Sequence, residues 1–144
     1  MVGKITRGND FKGLARYLTS PEERVLWIEG REVLSRDPLS VAKEMEAAAA
    51  RSSRTQKPVY HVSLSLDPGD AVGTEGLRRI AGRVLDDLGL EEHQVLMVAH
   101  RDTGHLHVHL MVNRVHPETG LAWPGSHDRY RLRASLERIE REWG

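Results

Sequence analysis

The chain of 144 residues contains no cysteine, which excludes disulfides and thiolate metal sites and fits a reducing interior. No apolar run approaches the roughly 20 residues that span a bilayer. The N-terminus, Met1 to Gly13, lacks the apolar centre of a secretory signal. The expectation is a cytoplasmic protein with no membrane insertion. Charge of one sign is also missing: 21 Lys and Arg balance 21 Asp and Glu. That argues against purely electrostatic attachment to nucleic acid, but not against a local basic groove. Lys4, Arg7, Lys12 and Arg16 face only Asp10, and Arg51, Arg54 and Lys57 form a second uncompensated group. Either group alone reads most simply as a solvated surface. There is no repeat, low-complexity tract or linker, and the length suits one domain over residues 1–144.

What the chain does have is histidine, and it is concentrated. Four of eight fall in His100-Arg-Asp-Thr-Gly-His105-Leu-His107-Val-His109. On a strand, alternate side chains share a face, so His105, His107 and His109 would line one side. One such histidine would be an ordinary polar position; three in alternation, with a fourth across a turn, point to a metal site or a reacting group. Neutral imidazoles hold a divalent first-row ion with positions left open for water or substrate. Asp102 could orient a ligating imidazole or accept a proton. No Glu lies in the segment, so the helical zinc-protease pattern is absent, and no Gly-x-Ser-x-Gly elbow supplies a serine nucleophile.

The rest of the pattern places this segment in a fold. Residues 9–19 predict a helix with Phe11, Leu14, Ala15 and Leu18 at helical spacing and Asn9 or Asp10 as cap. Residues 24–29 predict a strand, and Asp37-Pro38 opens a helix through the Ala47–Ala50 block. Val59 to Leu66 alternates strictly, with His61, Ser63 and Ser65 on the polar side. Asp67–Asp70 predicts a turn, Thr74–Leu88 an amphipathic helix closed by Gly89, and Gln94–Ala99 an apolar strand. A turn over Arg101–Gly104 leads into a strand over His105–Asn113; a tight hairpin there would set His100 opposite His105 rather than His107. Ser126–Trp143 predicts a last helix, its Glu and Arg forming i,i+4 pairs on a solvated face. A short strand at the N-terminus completes the list. The expected class is α+β: an antiparallel sheet with helices packed on one face, and an open polar face carrying the histidine strand.

Among the tyrosines, Tyr17 ends the first helix among basic residues, and reads either as packing or as a nucleophile. Tyr60 would point to the core side of its strand, and Tyr130 is taken as structural.

Three blocks, in order, resemble the plasmid relaxases, or mobilisation nucleases, of the endonuclease class with a histidine–hydrophobe–histidine motif. They are Phe11-Lys-Gly-Leu-Ala-Arg-Tyr17-Leu, then Pro58-Val-Tyr-His61-Val-Ser-Leu-Ser65, then His100 through His109 to Asn113-Arg114-Val-His-Pro-Glu-Thr-Gly120. The resemblance implies a relaxase-like nuclease domain, whole or the N-terminal catalytic part of a longer protein. It implies that Tyr17 attacks a phosphodiester of single-stranded DNA at an origin of transfer, leaving a 5′-phosphotyrosine and a free 3′-hydroxyl. His100, His107 and His109 would hold the metal, and Asp102 would support a ligand or help take the tyrosine proton. The implied metal is magnesium or manganese, while three histidines alone would also suit zinc. His105 matches a polar position that is not a standard ligand. Arg16, His61, Ser63, Ser65 and His105 are candidate DNA contacts; Asn113 and Arg114 either contact DNA or brace the strand end. The implied partners are origin DNA, relaxosome accessory proteins and a secretion coupling protein. Two other classes stay open: a noncatalytic single-stranded DNA-binding module, and a metal-dependent phosphodiesterase using water.

Overall fold

The computed structural model describes residues 1–144 apart from Pro68, Ala71, Thr103 and Gly144. In chain order it contains β1 (Val2–Gly8), α1 (Phe11–Leu18), a 3-10 turn (Glu22–Arg24), β2 (Val25–Arg31), α2 (Pro38–Ala49), β3 (Val59–Ser65), α3 (Gly73–Leu88), β4 (Val95–Asp102), β5 (His105–Asn113) and α4 (Asp128–Trp143). The expected turns at 67–70 and 101–104 each include a residue, Pro68 or Thr103, outside the described set. No helix among the described residues is long and apolar enough to cross a membrane.

The five strands form one sheet in the order β1-β3-β5-β4-β2, with every pair antiparallel. Period-two alternation separates its faces. On one, Tyr60, Val62, Leu64, Met97, Ala99, Val108, Leu110 and Val112 pack against Leu77, Ile80, Val84 and Leu88 of α3 and Leu132, Leu136 and Ile139 of α4. Gly89, left-handed at φ 78°, terminates α3 as its position predicts.

The α+β antiparallel class is as expected, but the second face is only half open. It is itself divided along the strands. Val59, Leu96, Val98 and Met111 occupy one half, and Phe11, Ala15 and Leu18 of α1 with Val41, Ala42 and Met45 of α2 bury them. The other half carries His61, Ser63, Ser65, His100, His107 and His109, which lie outside the apolar cluster beneath α1 and α2. Helices therefore pack on both faces. The reason lies in β4, an interior strand between β5 and β2: its run from Val95 to Ala99 is buried on both sides, which a one-sided sheet would not permit.

Two smaller expectations also change. The charged face of α4 does not close on itself: Arg138 pairs with Asp87 and Glu142 with Arg83, both on α3. Tyr130 is 73% exposed and packs into no core. Tyr60 is fully buried as expected, its hydroxyl donating to Asp128 at 2.9 Å.

Candidate active site

Two rows cross the sheet in its polar half. One runs Val2, Ser65, His107, His100, Val25; the next runs Lys4, Ser63, His109, Val98, Ile28. Because β4 continues to Asp102, which pairs with His105, His100 lies opposite His107 and not opposite His105. The hairpin thus brings together the two histidines it was expected to separate. Ring centroids are 4.7 Å apart for His100 and His109, and 6.5 Å for His107 and His109.

The hydrogen bonds arrange these rings. His107 Nδ1 lies 2.9 Å from Ser65 Oγ, and His109 Nδ1 lies 3.0 Å from His61 Nε2. His61 Nδ1 in turn lies 3.3 Å from Thr6 Oγ1. If Nδ1–H donates along this chain, His109 to His61 to Thr6, and likewise from His107 to Ser65, both rings present a bare Nε2. His61 and Ser65, read from sequence as candidate DNA contacts, hydrogen-bond the central histidines. Ser63 sits beside His109 in register and is half-buried. Burial holds His61 and His100 below the usual histidine value; it takes His109, with the neighbouring His100 next in effect, down to about 3. These rings are neutral at pH 7.

The end of α1 meets this cluster. The helix is capped by the Asp10 carboxylate on Gly13 N–H at 2.8 Å, and buries Phe11, Ala15 and Leu18 beneath itself. A helix leaves its last carbonyls without intrahelical partners. The Leu18 carbonyl accepts from His100 Nε2–H. Tyr17 is therefore one residue from a direct contact with His100, and its side chain is 65% exposed. Arg24, which the sequence reading missed, joins the parts: its guanidinium carbon is 5.5 Å from the Tyr17 ring centroid, Nη2 donates to the Tyr17 carbonyl at 3.0 Å, and Nη1 is 4.0 Å from Asp102. The missed signal was its place one residue before the strand that pairs with His100.

Other predicted residues lie apart or are already engaged. Arg16 is exposed beside Tyr17. His105 is half-buried at the hairpin end, its ring 6.3 Å from that of His107. Asn113 is fully buried; its amide donates to Met45 O and Gln94 Oε1 and accepts from Val115 N–H. Arg114 donates to the carbonyls of Gln56, Lys57 and Trp123. Of the two roles left open for this pair, the geometry supports the brace.

Among the described residues, no three His, Asp or Glu side chains stand close enough together, as they lie, to hold a metal ion. The donor chemistry nevertheless fits a divalent cation. Among the described residues, His107 and His109 each keep one ring nitrogen free, and His100 has a buried Nδ1 with no partner while its Nε2 is on the Leu18 carbonyl.

Comparison with known proteins gives this arrangement its context. Residues 17–144 match the profile of the family described as relaxase, MobA/VirD2-like, nuclease domain. Two proteins named TraI from Escherichia coli are 28% and 27% identical across 94% of the chain. A MobA protein from Acidithiobacillus ferrooxidans is 36% identical over 75 residues, 52% of the chain and 18% of the relative. The chain spans 19% of the length of each TraI relative. With the match running from Tyr17 through the histidine hairpin to the last helix, the chain belongs to the family of MobA/VirD2-like relaxase nuclease domains.

Proposed function

We propose that this domain nicks and rejoins single-stranded DNA at an origin of transfer, with Tyr17 as nucleophile. The observation that carries this reading is the contact between α1 and the cluster: the residue after Tyr17 is hydrogen-bonded to His100, and the tyrosine is exposed at the rim of the polar half-sheet. In the reaction, the Tyr17 oxygen forms a bond to the scissile phosphorus and the bond from phosphorus to the 3′ oxygen breaks. The phenolic proton leaves to solvent or to Asp102, and the departing 3′ oxygen takes up a proton. One phosphodiester replaces another, so rejoining needs no external energy. His100, His107 and His109 would hold a divalent cation, magnesium or manganese by family and zinc by donor chemistry. When bound, it supplies positive charge to a phosphate oxygen. His61 and Ser65 hold the rings of His109 and His107 in place, Ser63 and Lys4 stand side by side on the face where a strand of DNA would run, and exposed Arg16 would add a contact from α1. The setting would be the cytoplasm, with accessory DNA-binding proteins and a secretion coupling protein as partners.

The test is a covalent adduct. The protein is incubated with a pool of single-stranded oligonucleotides of random sequence, denatured, and the strands that remain attached are sequenced. Tyr17→Phe is expected to abolish attachment and to retain binding, and chelation is expected to suppress attachment in the parent. An adduct formed by the Phe variant would overturn the nucleophile. Cleavage that leaves no protein attached would favour water as the attacking group; binding without cleavage would favour a noncatalytic module.

A further inference from the structure

We propose that Arg24 is a catalytic residue of this site, the cation that grips the scissile phosphate against Tyr17. The inference rests on the transferase reading above. Its observations are separate from the histidines. Arg24 closes the 3-10 turn after α1 and directly precedes Val25, the residue paired with His100. Its position is thus set by the helix end on one side and by the sheet on the other. The guanidinium lies over the Tyr17 ring and is tied to the Tyr17 backbone through Nη2. Its ion pair with Asp102 is loose, at 4.0 Å between half-buried side chains, and its Nε is buried with no partner among the described residues, as is that of Arg114, whose Nη atoms by contrast are spent on three carbonyls. A structural arginine would be expected to spend its planar fork on close carboxylate or carbonyl oxygens. This one spends a single Nη on a carbonyl and leaves the rest of the fork under-used beside an exposed phenol.

The charge around it strengthens the argument. Its guanidinium contacts both the Tyr17 ring and the Asp102 carboxylate, one on each side of the place a phosphate would take. A guanidinium presents donors in the geometry that two non-bridging phosphate oxygens accept. Held over the ring face, it would draw those oxygens toward the tyrosyl oxygen. A phosphate taking the Nη1 edge would also displace Asp102, freeing that carboxylate to receive the phenolic proton. In DNA-free protein, Asp102 would act as a weak placeholder for the substrate's charge.

The experiment uses an oligonucleotide recovered from the adduct selection and its analogue with a neutral methylphosphonate at the nick. Binding is measured in chelator, so that only the protein's own cations read the linkage. The parent is expected to bind the charged linkage about tenfold more tightly or better, the worth of one charge-assisted hydrogen bond. Arg24→Gln is expected to bind both alike and to form adduct about a hundredfold more slowly with metal present. Arg24→Lys should recover part of both effects, and is the variant to read if the Gln form does not melt like the parent. A parent that fails to distinguish the two linkages, or a folded Gln variant that still distinguishes them, would overturn the role of Arg24 and leave Tyr17 transfer standing. If the random pool yields no adduct with the parent at all, the transferase reading falls, and the role of Arg24 with it.

Discussion

At the scale of single residues, alternation in the sequence was a sound guide to faces and a poor guide to partners. It put His61, Ser63 and Ser65 on the side that carries His107 and His109, and the register confirms it. It could not show that His61 and Ser65 hold neighbouring rings, because pairing depends on which residues of two strands stand opposite each other. Asn113 makes the same point. A polar residue ending an apolar strand reads equally well as a nucleic-acid contact or as a brace, and only burial decides. Its side chain ties β5 to the Met45 carbonyl of α2 and to Gln94, all inside the protein. Asn113→Ala would leave several of those groups without partners, and each buried orphan costs about 1–3 kcal/mol. We expect a loss of about 2–4 kcal/mol in chemical denaturation, with no change in the salt dependence of DNA binding. An unchanged denaturation midpoint with a shallower salt slope would return Asn113 to the DNA-contacting set.

At the scale of elements, the sequence placed the four helices and β2 to β5 within a few residues, since caps, glycines and periodicity carry local information, and offered β1 only as a short N-terminal strand without bounds. The N-terminal cap of α1, the start of α2 at Pro38 and the end of α3 at Gly89 are all written in residue type. Two things were not local. The pairing of Asp102 with His105 set the register of β4 on β5, and so set His100 against His107. The apolar half of the histidine face, from Val59, Leu96, Val98 and Met111, called for α1 and α2 only once β3, β5 and β4 lay side by side. The consequence for chemistry is that an eight-residue helix, too short to be stable alone, carries Tyr17. Its buried contacts are apolar, Lys12 pairs with Glu46 of α2 at 3.6 Å, and its end is tied to His100 and Arg24. Removing the cap with Asp10→Ala should cost about 1 kcal/mol. Because the loss falls on α1, we expect adduct formation to slow severalfold while global melting hardly moves. Hydrogen exchange over residues 11–18 should rise in step. Equal exchange in both proteins, or a large drop in melting temperature, would show that α1 is not the separately adjustable element this view requires.

At the scale of the whole molecule, folding places several titratable groups where their charged forms are disfavoured. His61, His93, His100 and His109 all lie below the ordinary histidine value, chiefly through burial; His93 is also far from the proposed site, its Nδ1 on the Asn113 carbonyl at 2.8 Å. Unfolded, each would take a proton near pH 6.5. Above that value neither state is protonated and the stability is intact. As pH falls below it, the unfolded chain binds protons that the folded protein refuses, and stability drops. The carboxylates act lower on the scale. Burial works to raise Asp87 and Asp128, but hydrogen bonds, led by Ser135 for the first and Tyr60 for the second, and nearby arginines leave both below the usual range. Their contribution is intact above about pH 4 and fades only as acid reaches their folded values. The two classes therefore separate. In chelator, the melting temperature should be level from pH 8 to 7, decline from about 6.5 to 5 on account of the histidines, and fall more steeply below about 4. His93→Gln should flatten part of the first decline without touching the proposed site. A melting temperature level down to pH 5 would mean that these imidazoles protonate in place, and that the polar half-sheet is not the neutral cluster that the cation-binding argument requires.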